Sequence, residues 1–234
     1  MVLSAQNISK QYKKQTVLDR VSFSVAPGQA LGVTGHNGSG KSTLLSIVAQ
    51  MLPPDGGQLL YQGKNVLGDR AFLRRMVGYV PQHNALLDDV TVKETLAFFA
   101  RLYGISPEHI FAPGSAASAM GLEPLQKKRI KTLSGGMQKR LSIALALLHT
   151  PSFLLLDEVL GALDRNFRNA FQHWMHAYLK SGGAIIYCSH EAEELRSLCS
   201  HMLVLKNGKV IFHSPIADFP SDAHAIDEML TPAL

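Results

Sequence analysis

Apolar residues alternate or run in short blocks at both ends of the chain and recur at helical spacing in its middle. Residues 2–9 read as a strand, Tyr12-Lys13-Lys14-Gln15-Thr16 as a polar turn, and Val17-Leu18 with Val21-Ser22-Phe23-Ser24-Val25 as a returning alternating strand. Pro27-Gly28 predicts a tight turn between hairpin strands. The apolar run Ala30-Leu31-Gly32-Val33-Thr34 is the next strand. Leu44-Leu45-Ser46-Ile47-Val48 begins a helix, which Pro53-Pro54-Asp55-Gly56-Gly57 stops. Leu59-Leu60-Tyr61 and Val77-Gly78-Tyr79-Val80 are strand-like, with a polar segment around Gly68-Asp69-Arg70 between them.

After Pro81-Gln82 the period changes. Val92, Leu96, Phe99 and Leu102 share a helical face over residues 91–103. Residues 107–122, rich in Ala and Ser, predict short helices and a loop. Ser134 opens a helix with Leu141, Leu145 and Leu148 on one face, ended by Pro151. Then come strand Phe153–Asp157, a helix over about 165–180, strand Ala184–Ser189, helix Glu191–Leu198, and a hairpin of Met202–Leu205 and Lys209–Phe212 turning at Asn207-Gly208. The pattern predicts one domain over 1–234. An α/β lobe (about 1–82 and 150–215) is interrupted by a helical lobe (about 83–149), and a short polar tail (216–234) follows.

The 234 residues suffice for a real core. A net charge of +5 permits contact with anionic partners, but no basic stripe appears and no nucleic-acid partner is expected. Lys127-Lys128-Arg129 with Lys131 reads as a solvated face. The two cysteines, Cys188 and Cys199, form neither a zinc pattern nor a disulfide framework, which points to a reducing compartment. The first residues lack a charged n-region and a long apolar run, so no signal peptide is expected. No apolar run approaches the length of a membrane span.

The candidate chemistry starts at Gly35-His36-Asn37-Gly38-Ser39-Gly40-Lys41-Ser42-Thr43, which fits G-x-x-x-x-G-K-[ST], the phosphate-binding loop of nucleoside triphosphatases. Glycines let several backbone N–H groups face one anion, and the helix that follows adds its positive end. Lys41 can reach the β and γ phosphates and the Ser42 hydroxyl can ligate Mg²⁺. Such a loop needs an acidic element. Phe153-Leu154-Leu155-Leu156 leads into Asp157, placed to hold Mg²⁺, and Glu158, placed to polarise an attacking water. Ser134-Gly135-Gly136, at the head of the helix preceding that strand, reads alone as an ordinary N-cap and, with the other elements, as a second anion site.

In order and spacing, this set resembles the nucleotide-binding subunit of an ATP-binding cassette (ABC) transporter over essentially residues 2–213. The resemblance implies a P-loop NTPase (RecA-like) core, an antiparallel β subdomain and an inserted helical subdomain. Leu133-Ser134-Gly135-Gly136-Met137 matches the family's signature loop. By the same resemblance Tyr12 stacks on adenine, Val17 packs on the nucleotide, Gln82 senses Mg²⁺ and the lytic water, and His190 contacts the γ phosphate. Asp164, in Ala162-Leu163-Asp164, belongs to a loop that crosses to a second subunit. Two such subunits pair head to tail, so Ser134, Gly135, Gly136 and Asp164 complete the partner's site, and ATP with Mg²⁺ acts as glue.

Met137 replaces the signature's usual glutamine, and with the stretch 90–104 it resembles the export-type subfamily. That implies an ATPase on the cytoplasmic side of the membrane, driving a separate transmembrane permease. Val159-Leu160-Gly161 departs from the usual proline and small polar pair, which bears on the hydrolysis rate. Apolar Leu86 and Leu87 are candidates for the floor of a groove receiving a permease helix, and equally for helical-lobe core. An importer subunit is the near alternative; a soluble non-transport ABC ATPase and a non-catalytic ATP-gated scaffold are the other classes.

Overall fold

The computed structural model describes residues 2–220 together with 226 and 229; the rest of the predicted tail lies outside the described residues. The first sheet is antiparallel and built from β1 (Leu3–Tyr12), β2 (Gln15–Val25), β4 (Gly56–Tyr61) and β5 (Lys64–Asn65), in the order β2-β1-β4-β5. The second contains β3 (Ala30–Thr34), β6 (Val77–Val80), β7 (Phe153–Asp157), β8 (Ala184–Cys188), β9 (His201–Lys206) and β10 (Lys209–Pro215), in the order β10-β9-β3-β8-β7-β6. All its pairings are parallel except the β9–β10 hairpin. That hairpin turns at Asn207-Gly208, both at positive φ (51° and 76°), as a two-residue loop between twisted strands requires.

Both faces of the large sheet are covered, so its strands are apolar on both sides. Leu31, Val33, Phe153, Leu155, Ile186 and Leu203 face the antiparallel sheet and α1 (Lys41–Val48). Leu154, Leu156, Ile185, Tyr187, Met202 and Val204 face the other way. There they join α3 (Val92–Leu102), α4 (Ala116–Ala119), α5 (Gly135–Leu147) and α6 (Arg165–Lys180). A final helix, α7 (Ala192–Leu198), packs on β3. Between β6 and β7 the described segments are helical or irregular, apart from a single bridge, Thr91 with Arg129.

Four sequence expectations change. Pro27-Gly28 does not close a hairpin: β2 pairs with β1 and β3 pairs with β8 and β9, so the turn carries the chain from one sheet to the other. Tyr12 ends β1 rather than opening the turn, paired with Gln15. The polar stretch after Gly68 contains a helix, α2 (Arg70–Met76). Its charged residues, Arg70, Arg74 and Arg75, face solvent and mask the period. The tail is not simply polar, because Phe219 and Ile226 are buried in the helical-side core.

Candidate functional site

Strand register brings the candidate residues to one edge. Val33 and Asp157 both pair with Cys188, and Val80 pairs with Leu156, so β3, β8, β7 and β6 end level with one another. The residues that follow are the phosphate loop, His190, Glu158 and Gln82. In an open parallel sheet the carboxyl edge of the strands is where ligands bind.

The loop from Gly35 to Thr43 is shaped by close approaches. A Cβ on Gly35 would lie 2.2 Å from the Leu205 carbonyl oxygen, and one on Gly40 would lie 2.6 Å from Leu18 Cδ2 and 2.8 Å from the Val17 oxygen. Gly40 also has φ of 106°, accessible to glycine at little cost. Val17 therefore borders the loop through its main chain. Lys41 is 6 % exposed; its Nζ donates to the carbonyls of Gly35 (2.8 Å) and His36 (3.2 Å), inside the loop it belongs to. The hydroxyls of Thr34 and Ser39, at and just after the end of β3, are buried without a hydrogen-bond partner.

Asp157 is 2 % exposed and its Oδ1 has no hydrogen-bond partner. Burial pushes its carboxyl above the ordinary range; a hydrogen bond from Ser42 and the charges of Lys41 and Lys139 pull the other way, and the neighbouring Glu158 pushes it further up. An unpaired carboxylate oxygen beside a serine hydroxyl suits a hard divalent cation such as Mg²⁺. Among the described residues no cluster of three His, Cys, Asp or Glu side chains could hold a metal alone. A cation here would draw its other ligands from water or phosphate oxygens.

Glu158 is held from both sides. Gln82 Nε2 donates to its Oε2 at 2.7 Å, and His190 Nδ1 lies 3.2 Å from its Oε1. Its backbone sits at φ of 48°, and its N–H donates to the Cys188 carbonyl at 2.9 Å. A left-handed non-glycine residue at such a position stores strain that the surrounding structure must impose.

The remaining candidates lie apart. Ser134 caps α5, its hydroxyl accepting from the Met137 N–H at 3.3 Å. Gly136 lies against the turn before α6, since a Cβ there would come within 2.9 Å of the Ala162 oxygen, and Asp164 caps α6 through Phe167 N–H at 2.9 Å. Gly135 faces open space. Among the described residues none of these hydrogen-bonds to the phosphate loop. Tyr12 is 47 % exposed at the tip of the β1–β2 hairpin, with Lys10 Nζ 5.7 Å from its ring centre. Leu86 lines a groove with Tyr79, Phe99, Tyr103 and Leu145, whereas Leu87 is 73 % exposed.

Two participants were not visible in the sequence. Lys139 is buried (2 % exposed) and donates to the carbonyls of Pro81 and Gln82. Glu194 accepts from the hydroxyls of Tyr187 and Ser189, both at 2.7 Å, fixing the residue before His190. A lysine in a helix and a glutamate in an acidic turn carry no periodic signal that separates them from surface charges. The two cysteines are free and buried, and burial raises both thiols, Cys188 further through the nearby Asp157 charge.

The sequence matches the ABC transporter family over residues 18–161. It is 35 % identical over 213 residues to the linearmycin resistance ATP-binding protein LnrL of Bacillus subtilis, covering 90 % of this chain and 68 % of that one. It is 37 % identical over 212 residues to a Nod factor export ATP-binding protein I of Ralstonia nicotianae, covering 90 % and 66 %. The chain thus spans about two thirds of the length of these relatives. Among solved structures, an ATP-binding subunit of an ABC transporter superposes with a TM-score of 0.85 at 26 % identity, covering 93 % of this chain and 91 % of that one. A nucleotide-free ATP-binding cassette shares the fold, with a TM-score of 0.83 at 24 % identity over 99 % of each chain. No helix among the described residues is long and apolar enough to cross a membrane. ATP-binding subunits of ABC transporters work with transmembrane permease components. The chain belongs to the ABC transporter family, as an ATP-binding subunit.

Proposed function

We propose that this chain is an ATPase that pairs head to tail with a second copy and powers export through a separate transmembrane permease. The observation that carries the chemistry is Glu158, fastened between Gln82 and His190, one residue after an Asp157 that meets Ser42 of the phosphate loop. In this reading the N–H groups of Gly35, Asn37, Gly38, Ser39, Gly40 and Thr43 and the Lys41 ammonium hold the triphosphate, exchanging the loop carbonyls that Lys41 now contacts for phosphate oxygens. Tyr12 and Val17 bound the base and sugar. Glu158 accepts a hydrogen bond from the attacking water and draws its oxygen toward the γ phosphorus. His190 Nε2 is free to meet the γ phosphate while Nδ1 faces Glu158. Mg²⁺, held by Ser42 and Asp157, would neutralise charge on the phosphate oxygens. Gln82, with Nε2 engaged, offers its amide oxygen to the cation or the water.

One copy offers Ser134, Gly135, Gly136 and Asp164 on a surface apart from its own phosphate loop, and a second copy would use that surface. Exposed Met51 in the groove lined by Leu86, and exposed Leu102 in the adjoining groove that shares Phe99 and Tyr103 with it, suit an apolar permease helix, which would hold the chain at the cytoplasmic face of the membrane. Export rests on the names of the relatives and on Met137. The test is light scattering of purified Glu158→Gln. With ATP and Mg²⁺ it should shift from monomer to dimer and show no phosphate release. A variant that stays monomeric, or that turns over like the parent, overturns the reading.

A further inference from the structure

The buried ammonium of Lys139 is not explained by the site as described. It lies in α5, one and a half turns beyond Ser134, and donates to the carbonyls of Pro81 at 2.8 Å and Gln82 at 2.7 Å. Three positions on, the Ser142 hydroxyl bonds Asn84 Oδ1 at 3.0 Å from the same helix face. One turn further, α5 touches the start of this segment: a Cβ on Gly78 would lie 2.4 Å from the Ala146 oxygen. The whole path from β6 through Gln82 to Asn84 is therefore fastened to a single helix. That helix begins at Ser134, and its rise of about 1.5 Å per residue puts Lys139 only about 7.5 Å along the axis from the cap. A buried lysine has lost its water, so its hydrogen bonds to these carbonyls are costly to leave unmade.

We propose that Lys139 is a positioning residue that ties the signature helix to the main chain of Gln82, so that seating a nucleotide at Ser134 sets the angle at which Gln82 meets Glu158 across the same chain. This rests on the reading of the site given above. Any displacement of α5 pulls the 81–84 segment with it, because the three attachments lie on one rigid helix. The Gln82 amide, at the end of that segment, then holds or releases Glu158 Oε2.

The test is a double-mutant cycle on the full chain, with Lys139→Met and Gln82→Ala, each checked for melting temperature, affinity for a fluorescent ATP analogue and kcat. Lys139→Met should lower kcat by about tenfold or more while analogue affinity stays within about twofold. The double variant should be no slower than Gln82→Ala alone, since both act through one contact. Lys139→Arg, whose guanidinium can reach two adjacent carbonyls, should restore most of the rate and serves if the methionine variant does not fold. Losses that multiply in the double variant, or that follow affinity rather than kcat, overturn the proposal while leaving the ATPase reading intact. If the unaltered chain hydrolyses no ATP, the ATPase reading fails, and amide exchange at residues 82–84 judges the clamp by itself. Faster exchange in Lys139→Met supports it, and unchanged exchange sinks it.

Discussion

Gln82 and Glu158 are 76 positions apart and joined by a 2.7 Å hydrogen bond from amide to carboxylate. The bond spans the ends of β6 and β7, two neighbouring strands whose last paired residues are Val80 and Leu156. It leaves the carboxylate oriented by a neutral donor on one side and by His190 on the other. In the proposed reading Glu158 is the general base, and these two contacts would orient it toward the attacking water.

Removing that partner should cost rate more than binding. Gln82→Ala is expected to reduce kcat by about tenfold to a hundredfold, with the KM for ATP within about threefold. Steady-state ATPase kinetics on the purified chain decide it; a fall in kcat/KM caused by KM alone would place Gln82 in nucleotide binding instead.

Asp157 should be kept for activity at the expense of stability. Its carboxyl is buried with one oxygen unpaired, and burial raises its pKa. Asp157→Asn removes the charge from that environment. It should raise the unfolding free energy of the nucleotide-free chain by about 1 kcal/mol and abolish Mg²⁺-dependent turnover. Denaturant titration and phosphate release read the two effects, and loss of stability would contradict the account.

Gly35 tests the shape of the phosphate loop. In Gly35→Ala the added methyl would meet the Leu205 main-chain oxygen, which cannot rotate away. The variant should lose about 2–3 kcal/mol of stability and much of its affinity for nucleotide. Gly38→Ala offers a comparison, because nothing lies within 4 Å of the site its Cβ would occupy; only its positive φ of 80° opposes it. An equal loss from both would show that backbone strain rather than contact sets the loop.

The start of α3 should carry a pH signature. Thr91 and Glu94 form a capping box, with Glu94 Oε2 accepting from the Thr91 N–H and hydroxyl at 2.8 Å each. The backbone bond is the larger cause of a lowered carboxyl pKa. A carboxyl with a lowered folded pKa stabilises the fold above its unfolded value of 4.5, and that contribution disappears as pH falls through the folded value. Glu94→Gln should therefore melt below the parent at pH 7, and the gap should close on acidification below pH 4.5. A gap independent of pH would assign the effect to packing.

The sequence by itself located the candidate chemistry. Glycine spacing from Gly35 to Gly40 is a short-range pattern legible by itself, while the apolar run into Asp157-Glu158 and the Ser134-Gly135-Gly136 helix start take their reading from its presence in the same chain. Alternation and helical spacing likewise placed most elements. Tertiary structure decided which sheet each strand joined, so Pro27-Gly28 became a crossing rather than a hairpin, and it revealed α2, whose exposed arginines hide its period. It also decided that Gln82, Glu158 and His190 touch, because strand order and register are set by packing between segments far apart in the chain. Lys139 marks the limit most clearly. Nothing in its neighbours distinguishes a solvated lysine from a buried one; only the arrival of β6 beneath α5 supplies the two carbonyls that its ammonium holds.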